Sequence, residues 1–131
     1  MIYGIGTDII EISRIARATK GKAFLAKCFT EAEMQRCNNA GVTAAENFAG
    51  YFAAKEAVAK ALGTGFRGFV PRDIEIHHDD LGKPIAVLAD HIQSPNNAII
   101  HISISHGKEH ATAIAVIEVI SCVNDPKISG E

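Results

Sequence analysis

Polar and apolar residues alternate near both ends of this chain, while the middle follows a helical period. Over residues 2–10 Tyr3, Ile5, Thr7 and Ile9 share one face, with Gly4, Gly6 and Asp8 on the other. A period of two predicts a strand. The two glycines leave the second face bare, so another backbone or a ligand can approach where Asp8 points. A crowded crossing in which Asp8 merely ends the strand would give the same pattern. Ser13 is placed to cap a short helix through Arg14 and Arg17 toward Lys20. Thr30 with Glu33, and Thr43 with Glu46, each have capping-box spacing. The second box opens a long helix running to Leu62, roughly 28 Å at ~1.5 Å per residue. Gly63 suits its left-handed end. Beyond Gly68 alternation returns: Ile74 and Ile76, a turn at 79–84, a returning strand at 85–88, then strands at 99–105 and 111–120. Strand, helices, then strands predict an α+β fold with a small antiparallel sheet, one long helix and several shorter ones.

Composition narrows the class. A chain of 131 residues, 47% hydrophobic and 21% charged, fits one domain at 1–120. Residues 121–131 form a polar tail expected to fray. The formal net charge of −2 argues against general nucleic-acid binding. No apolar run approaches the ~20 residues of a membrane span, and the first residues do not read as a secretory signal. Three cysteines without CxxC spacing suggest neither a disulfide framework nor a zinc site. A cytoplasmic protein with reduced thiols is expected.

Candidate chemistry concentrates in "YFAAKEAVAKALGTG". Glu56 and Lys60 share a helix face, which in solvent would be an ion pair contributing roughly 0.3–0.5 kcal/mol. Their neighbours are small and apolar, and a carboxylate there calls for a cation. Asp8 and Glu56, with few His or Cys companions, would suit Mg²⁺. The "GTGFRG" exit, with Gly63 and Gly65, could present backbone amides to an anion, although it is no Walker A loop. "SISHGKEHA" sets Ser105 and His106 at a strand end without a nucleophile elbow. His106 and His110 would make a weak metal pair, and His77, His78, His91 and His101 read as ordinary strand and surface residues.

Together "GIGTDIIEISRI", "FAAKEAVAKALGTG", "DIEI" followed by "GKP", and "ISISH…ATAIAV" resemble the holo-[acyl-carrier-protein] synthase family, the short bacterial type of 4′-phosphopantetheinyl transferase, in matching order from residue 2 to about 120. The resemblance implies the transferase fold and an Mg²⁺-dependent reaction. The 4′-phosphopantetheine arm of coenzyme A moves to a serine of apo-acyl carrier protein, adenosine 3′,5′-bisphosphate leaves, and the product supports fatty acid biosynthesis. It puts the metal on Asp8 and Glu56, with Lys60 completing the catalytic set. Coenzyme A is expected against Lys55, Lys60, Gly63, Gly65, Lys83, Pro84, Ser105 and His106, and the acidic carrier protein against Arg14 and Arg17. A coordinated water, Glu56 or an acid such as Glu33 could take the serine proton. Tyr51 stands where the family often carries an arginine toward the 3′-phosphate, so either another cation such as Arg67, Lys83 or Lys108 replaces that charge or the 3′-phosphate is held more weakly.

The last predicted strand is apolar on both faces, Ala113, Ala115, Ile117 and Val119 opposing Ile114 and Val116. The helices of one chain cover only one face, and the family forms trimers. A homotrimer with shared sites is therefore expected, with Ile117→Glu as its probe. A non-catalytic module binding coenzyme A or acyl carrier protein is the alternative; it would not need Asp8, Glu56 and Lys60 together.

Overall fold

The computed structural model describes residues 1–121; the stretch expected to fray beyond Ser121, and Cys122 with it, lie outside the described residues. The elements are β1 (Ile2–Glu11), α1 (Ile12–Ala18), α2 (Lys22–Cys28), α3 (Glu31–Asn39), α4 (Ala44–Leu62), β2 (Ile74–His78), β3 (Pro84–Leu88), β4 (Ala98–His106) and β5 (His110–Val119). Strands β1, β5 and β4 form an antiparallel sheet in that order, and β2 and β3 pair as a separate hairpin. The α+β reading is correct. The second ladder was not separable by pattern, because β2 and β3 alternate like the others.

Helix α4 lies across the inner face of the three-stranded sheet, and the two glycines of β1 make this possible. A Cβ on Gly4 would stand 2.0 Å from the Ala61 carbonyl oxygen, and one on Gly6 2.1 Å from that of Ala57. The helix answers with small residues: Ala49, Ala53, Ala57 and Ala61 are all buried there, above Ala113, Ala115 and Ile117 of β5. Backbone approach is thus the first use of the bare strand face.

Local signals held unevenly. The Thr30–Glu33 capping box is formed, with both reciprocal bonds present. Gly63 closes α4 at φ 86°. Thr43 makes no capping box: its hydroxyl donates to the Ala40 carbonyl within a 3₁₀ turn at Gly41–Thr43. Ser13 lies inside α1, whose N-cap is Glu11, because β1 runs straight into the helix. Helix α2 was not foreseen, since Gly21 ahead of it offers no side-chain cap.

Among the described residues, none covers the outer sheet face. Tyr3, Ile5, Ile9, Ile99 and Ile114 are 43–65% exposed there. Ile117 points the other way and is wholly buried under α4, so it is a core residue and cannot probe an interface.

Candidate active site

Asp8 follows Gly6 on the inner face of β1, where the strand passes the Glu56–Lys60 turn of α4. The Lys60 ammonium donates to the Thr7 carbonyl at 2.9 Å and to Asp8 Oδ1 at 3.3 Å. Lys60 thus bonds across to the strand, which the helical ion-pair pattern did not anticipate. Its side chain stays half-exposed, while that of Asp8 is mostly covered. Both line a recess of ≈ 440 Å³ with Thr7, Ile9, Ser103, Ser105, Thr112 and Ile114. Most of these belong to the uncovered sheet face.

Glu56 faces a neighbouring cavity of ≈ 320 Å³ walled by Phe24, Phe52, Phe66, Phe69 and Pro71, with Lys27 at its edge. Burial raises its carboxyl above the ordinary value, and the negative charge of Asp8 raises it further; Lys60 and Arg14 pull it back. Asp8 of β1, Lys60 of α4 and Arg14 of α1 therefore all bear on Glu56. Among the described residues, no three His, Cys, Asp or Glu side chains converge as a closed metal cage. Among those residues, no third ligand joins His106 and His110.

Several expected contacts fall elsewhere. Lys55 cannot face coenzyme: it is fully buried, and its ammonium bonds Glu33 Oε1 at 2.7 Å and the carbonyls of Pro71 and Ile74 at 3.1 and 2.7 Å. Glu33, equally buried, also accepts from the amides of Thr30 and Ile76, which removes it as a proton acceptor for an incoming serine. The amides of Gly63 and Gly65 donate to Lys60 and Ala59 of the helix, so these glycines shape the turn and offer no free donor. Ser105 reaches the Asp8 recess and also a shallow depression with His106 and Lys108. His106 Nδ1 lies 4.0 Å from Glu46 Oε2. Lys83 and Pro84 sit at the β2–β3 turn, Pro84 opposite His78. Neither the Asp8 recess nor the Glu56 cavity is lined by Lys83, Pro84 or His106.

The Tyr51 hydroxyl stands 3.4 Å from His78 Nδ1, and burial pushes it up to about 12. The cation acting on both Tyr51 and His78 is Arg36 of α3, missed in the sequence because no local pattern ties α3 to that turn. Lys27 was missed with α2. From Ile12 to Cys28 the chain carries Arg14, Arg17, Lys20, Lys22 and Lys27 and no acidic residue, a basic face on α1 and α2.

A family model described as the 4′-phosphopantetheinyl transferase superfamily matches residues 4–115. The chain belongs to that superfamily. A holo-[acyl-carrier-protein] synthase of Clostridium beijerinckii is 49% identical over 129 residues, covering 92% of this chain and all of that protein. One from Fusobacterium nucleatum is 45% identical over 122 residues, covering 89% and 99%. A crystal structure of the Bacillus anthracis synthase in complex with CoA (3′,5′-ADP) superposes with a TM-score of 0.78 at 42% identity, covering 92% of this chain and 99% of that one. This phosphopantetheinyl transferase is accordingly an enzyme of the holo-[acyl-carrier-protein] synthase kind, and its architecture is that of the solved relatives.

Proposed function

We propose that the enzyme transfers 4′-phosphopantetheine from coenzyme A to a serine of apo-acyl carrier protein with Mg²⁺, releasing adenosine 3′,5′-bisphosphate. The observation that carries this reading is the bond of the Lys60 ammonium to Asp8 Oδ1 at 3.3 Å, with Glu56 one turn before Lys60 on α4 and its carboxyl raised in part by the charge of Asp8. Two carboxylates without His or Cys fit a hard ion that completes its shell with water and phosphate. Asp8 and Glu56 would hold the ion, which when bound supplies positive charge to the pyrophosphate oxygens. Lys60, half-exposed at the same recess, adds a fixed ammonium where charge grows on the leaving bisphosphate. With Glu33 buried away, Glu56 is the remaining side chain of the two weighed for the serine proton. The complex of the Bacillus anthracis relative with CoA (3′,5′-ADP) supports coenzyme A as donor.

Arg14 and Arg17, with the lysines of α2, form a basic surface suited to an acidic carrier protein. Service to fatty acid synthesis in the cytoplasm follows from that partner. A homotrimer accounts for the uncovered sheet face, and for a recess at Asp8 that shares its lining with it. Asp8 and Glu56 would then come from one chain, and part of the coenzyme contact from the next.

Purified protein incubated with coenzyme A and an apo-carrier panel, and read by intact mass, tests the reaction. Modified carrier is expected with Mg²⁺ and none after chelation. Asp8→Ala and Glu56→Ala should remain folded and transfer nothing. Near-normal transfer by either variant at low millimolar Mg²⁺ would sink the metal assignment. Binding of coenzyme A without turnover in the intact protein would favour the non-catalytic module.

A further inference from the structure

Lys55 and Glu56 are consecutive on α4, yet one side chain enters the interior and the other a cavity. The Lys55 ammonium has all three donors occupied, by Glu33 and by the carbonyls of Pro71 and Ile74. Glu33 in turn holds the Ile76 amide at 2.7 Å and the Thr30 amide at 2.8 Å. One buried couple therefore ties together α3, α4 and the segment from Pro71 into β2. Pro71, the first residue of that segment, lines the Glu56 cavity and continues the wall that Phe66, Phe69 and Val70 begin. The α2 side of the cavity is bound to the same turn, since the Arg72 guanidinium donates to the carbonyl of Phe29, the C-cap of α2. Phe29 lies under the ammonium, its ring centre 5.4 Å from Nζ.

We propose that the Lys55–Glu33 couple positions the catalytic cavity, fixing from inside the core, through Pro71, the Phe66–Pro71 wall that lines the cavity together with Glu56. This rests on the transfer reaction proposed above for that site. A core ion pair needs only to be satisfied in order to be tolerated. Here one bond goes to the carbonyl of Pro71, which lines the cavity, and another to that of Ile74 at the start of β2, whereas Glu56 itself receives none of them. The wall then keeps its place when ligand enters, and small displacements matter for in-line transfer.

The test compares the wild-type enzyme with Lys55→Met, and with Lys55→Met combined with Glu33→Gln, which leaves no unpaired carboxylate. Protein labelled with fluorophenylalanine is read by ¹⁹F NMR without ligand, with Phe66 and Phe69 assigned by substitution. Steady-state kcat and KM are measured on the same folded samples. The expected result is that both resonances shift or broaden, and kcat falls about tenfold or more while KM for carrier protein stays within about twofold. A merely structural couple would lower melting temperature and leave kcat and KM of the folded enzyme unchanged. Unmoved resonances, or moved resonances with unchanged kcat, overturn the proposal. If neither variant folds, the couple is a folding requirement and its positioning role falls. Absence of transfer by the wild-type enzyme would instead overturn the reaction itself, and the ¹⁹F spectra would still decide whether the couple holds the wall.

Discussion

Two lysines five positions apart on α4 have opposite fates, and their surroundings decide it. Lys60 stands at the recess, where an ammonium can meet phosphate. Lys60→Ala should leave stability nearly unchanged and lower mainly kcat, as expected of a charge needed most in the transition state; a rise in KM alone would make it a binding residue. Lys55 lies in the core, where burial pulls its pKa below the ordinary value and Glu33 opposes that shift. Removing one partner of such a pair is expensive, so Lys55→Ala should lose about 3–5 kcal/mol in urea unfolding. The motif "AAKEAVAKA" does not distinguish the two lysines, because the elements that surround Lys55 come from distant parts of the chain. Cys37 offers a pH test. Burial, and then the charge of Glu33, push its thiol from 9.0 up to about 12. Above pH 9 the unfolded chain loses a proton that the folded chain keeps, so stability should fall between 9 and 12. The slope approaches about 1.4 kcal/mol per pH unit. Denaturant titrations of wild type and Cys37→Ala should show a shallower alkaline decline in the variant; equal slopes would refute the assignment.

At the scale of elements, the decisive contact is β1 against α4. A methyl on Gly4 or Gly6 would meet a helix carbonyl rather than a flexible side chain, so the helix itself would have to move. Gly6→Ala should cost about 3 kcal/mol or more in unfolding free energy. It should also weaken transfer by separating Asp8 from Glu56. Gly21→Ala, whose nearest neighbour would be 3.6 Å away, should stay within about 1 kcal/mol. Equal effects at the two positions would show that the crossing is less tight than described. The strand pattern and the run to Gly63 were legible because alternation and a left-handed terminus are written locally. The start of α1, the whole of α2 and the false box at Thr43 were not. A continuous strand-to-helix join, a helix without a polar cap, and a 3₁₀ turn claiming the Thr43 hydroxyl each override the local signal.

For the whole molecule, alternation showed that β5 is apolar on both sides, but not which side α4 would take. The outer side, carrying Ile5, Ile9 and Ile114, is the one the described residues leave open. Light scattering should give about three times the 14.0 kDa chain mass for the wild type. Ile5→Glu should reduce assembly and activity together. Ile117→Glu should unfold the chain, because it buries a carboxylate in the core. A fully active monomer would remove the shared site. Arg14→Glu should impair use of carrier protein and spare coenzyme affinity, with an association rate that fades with salt. The placement of Lys83, Pro84 and His106 away from the cavities of Asp8 and Glu56 bears on mixtures. In the proposed ring, a chain lacking Glu56 and a chain lacking its coenzyme-contact residues are each inactive alone. Blended, they recreate intact junctions wherever the surviving half of one meets the surviving half of the other. Two dead preparations, unfolded and refolded together, should then recover part of the lost turnover, in a proportion set by how three seats fill at random.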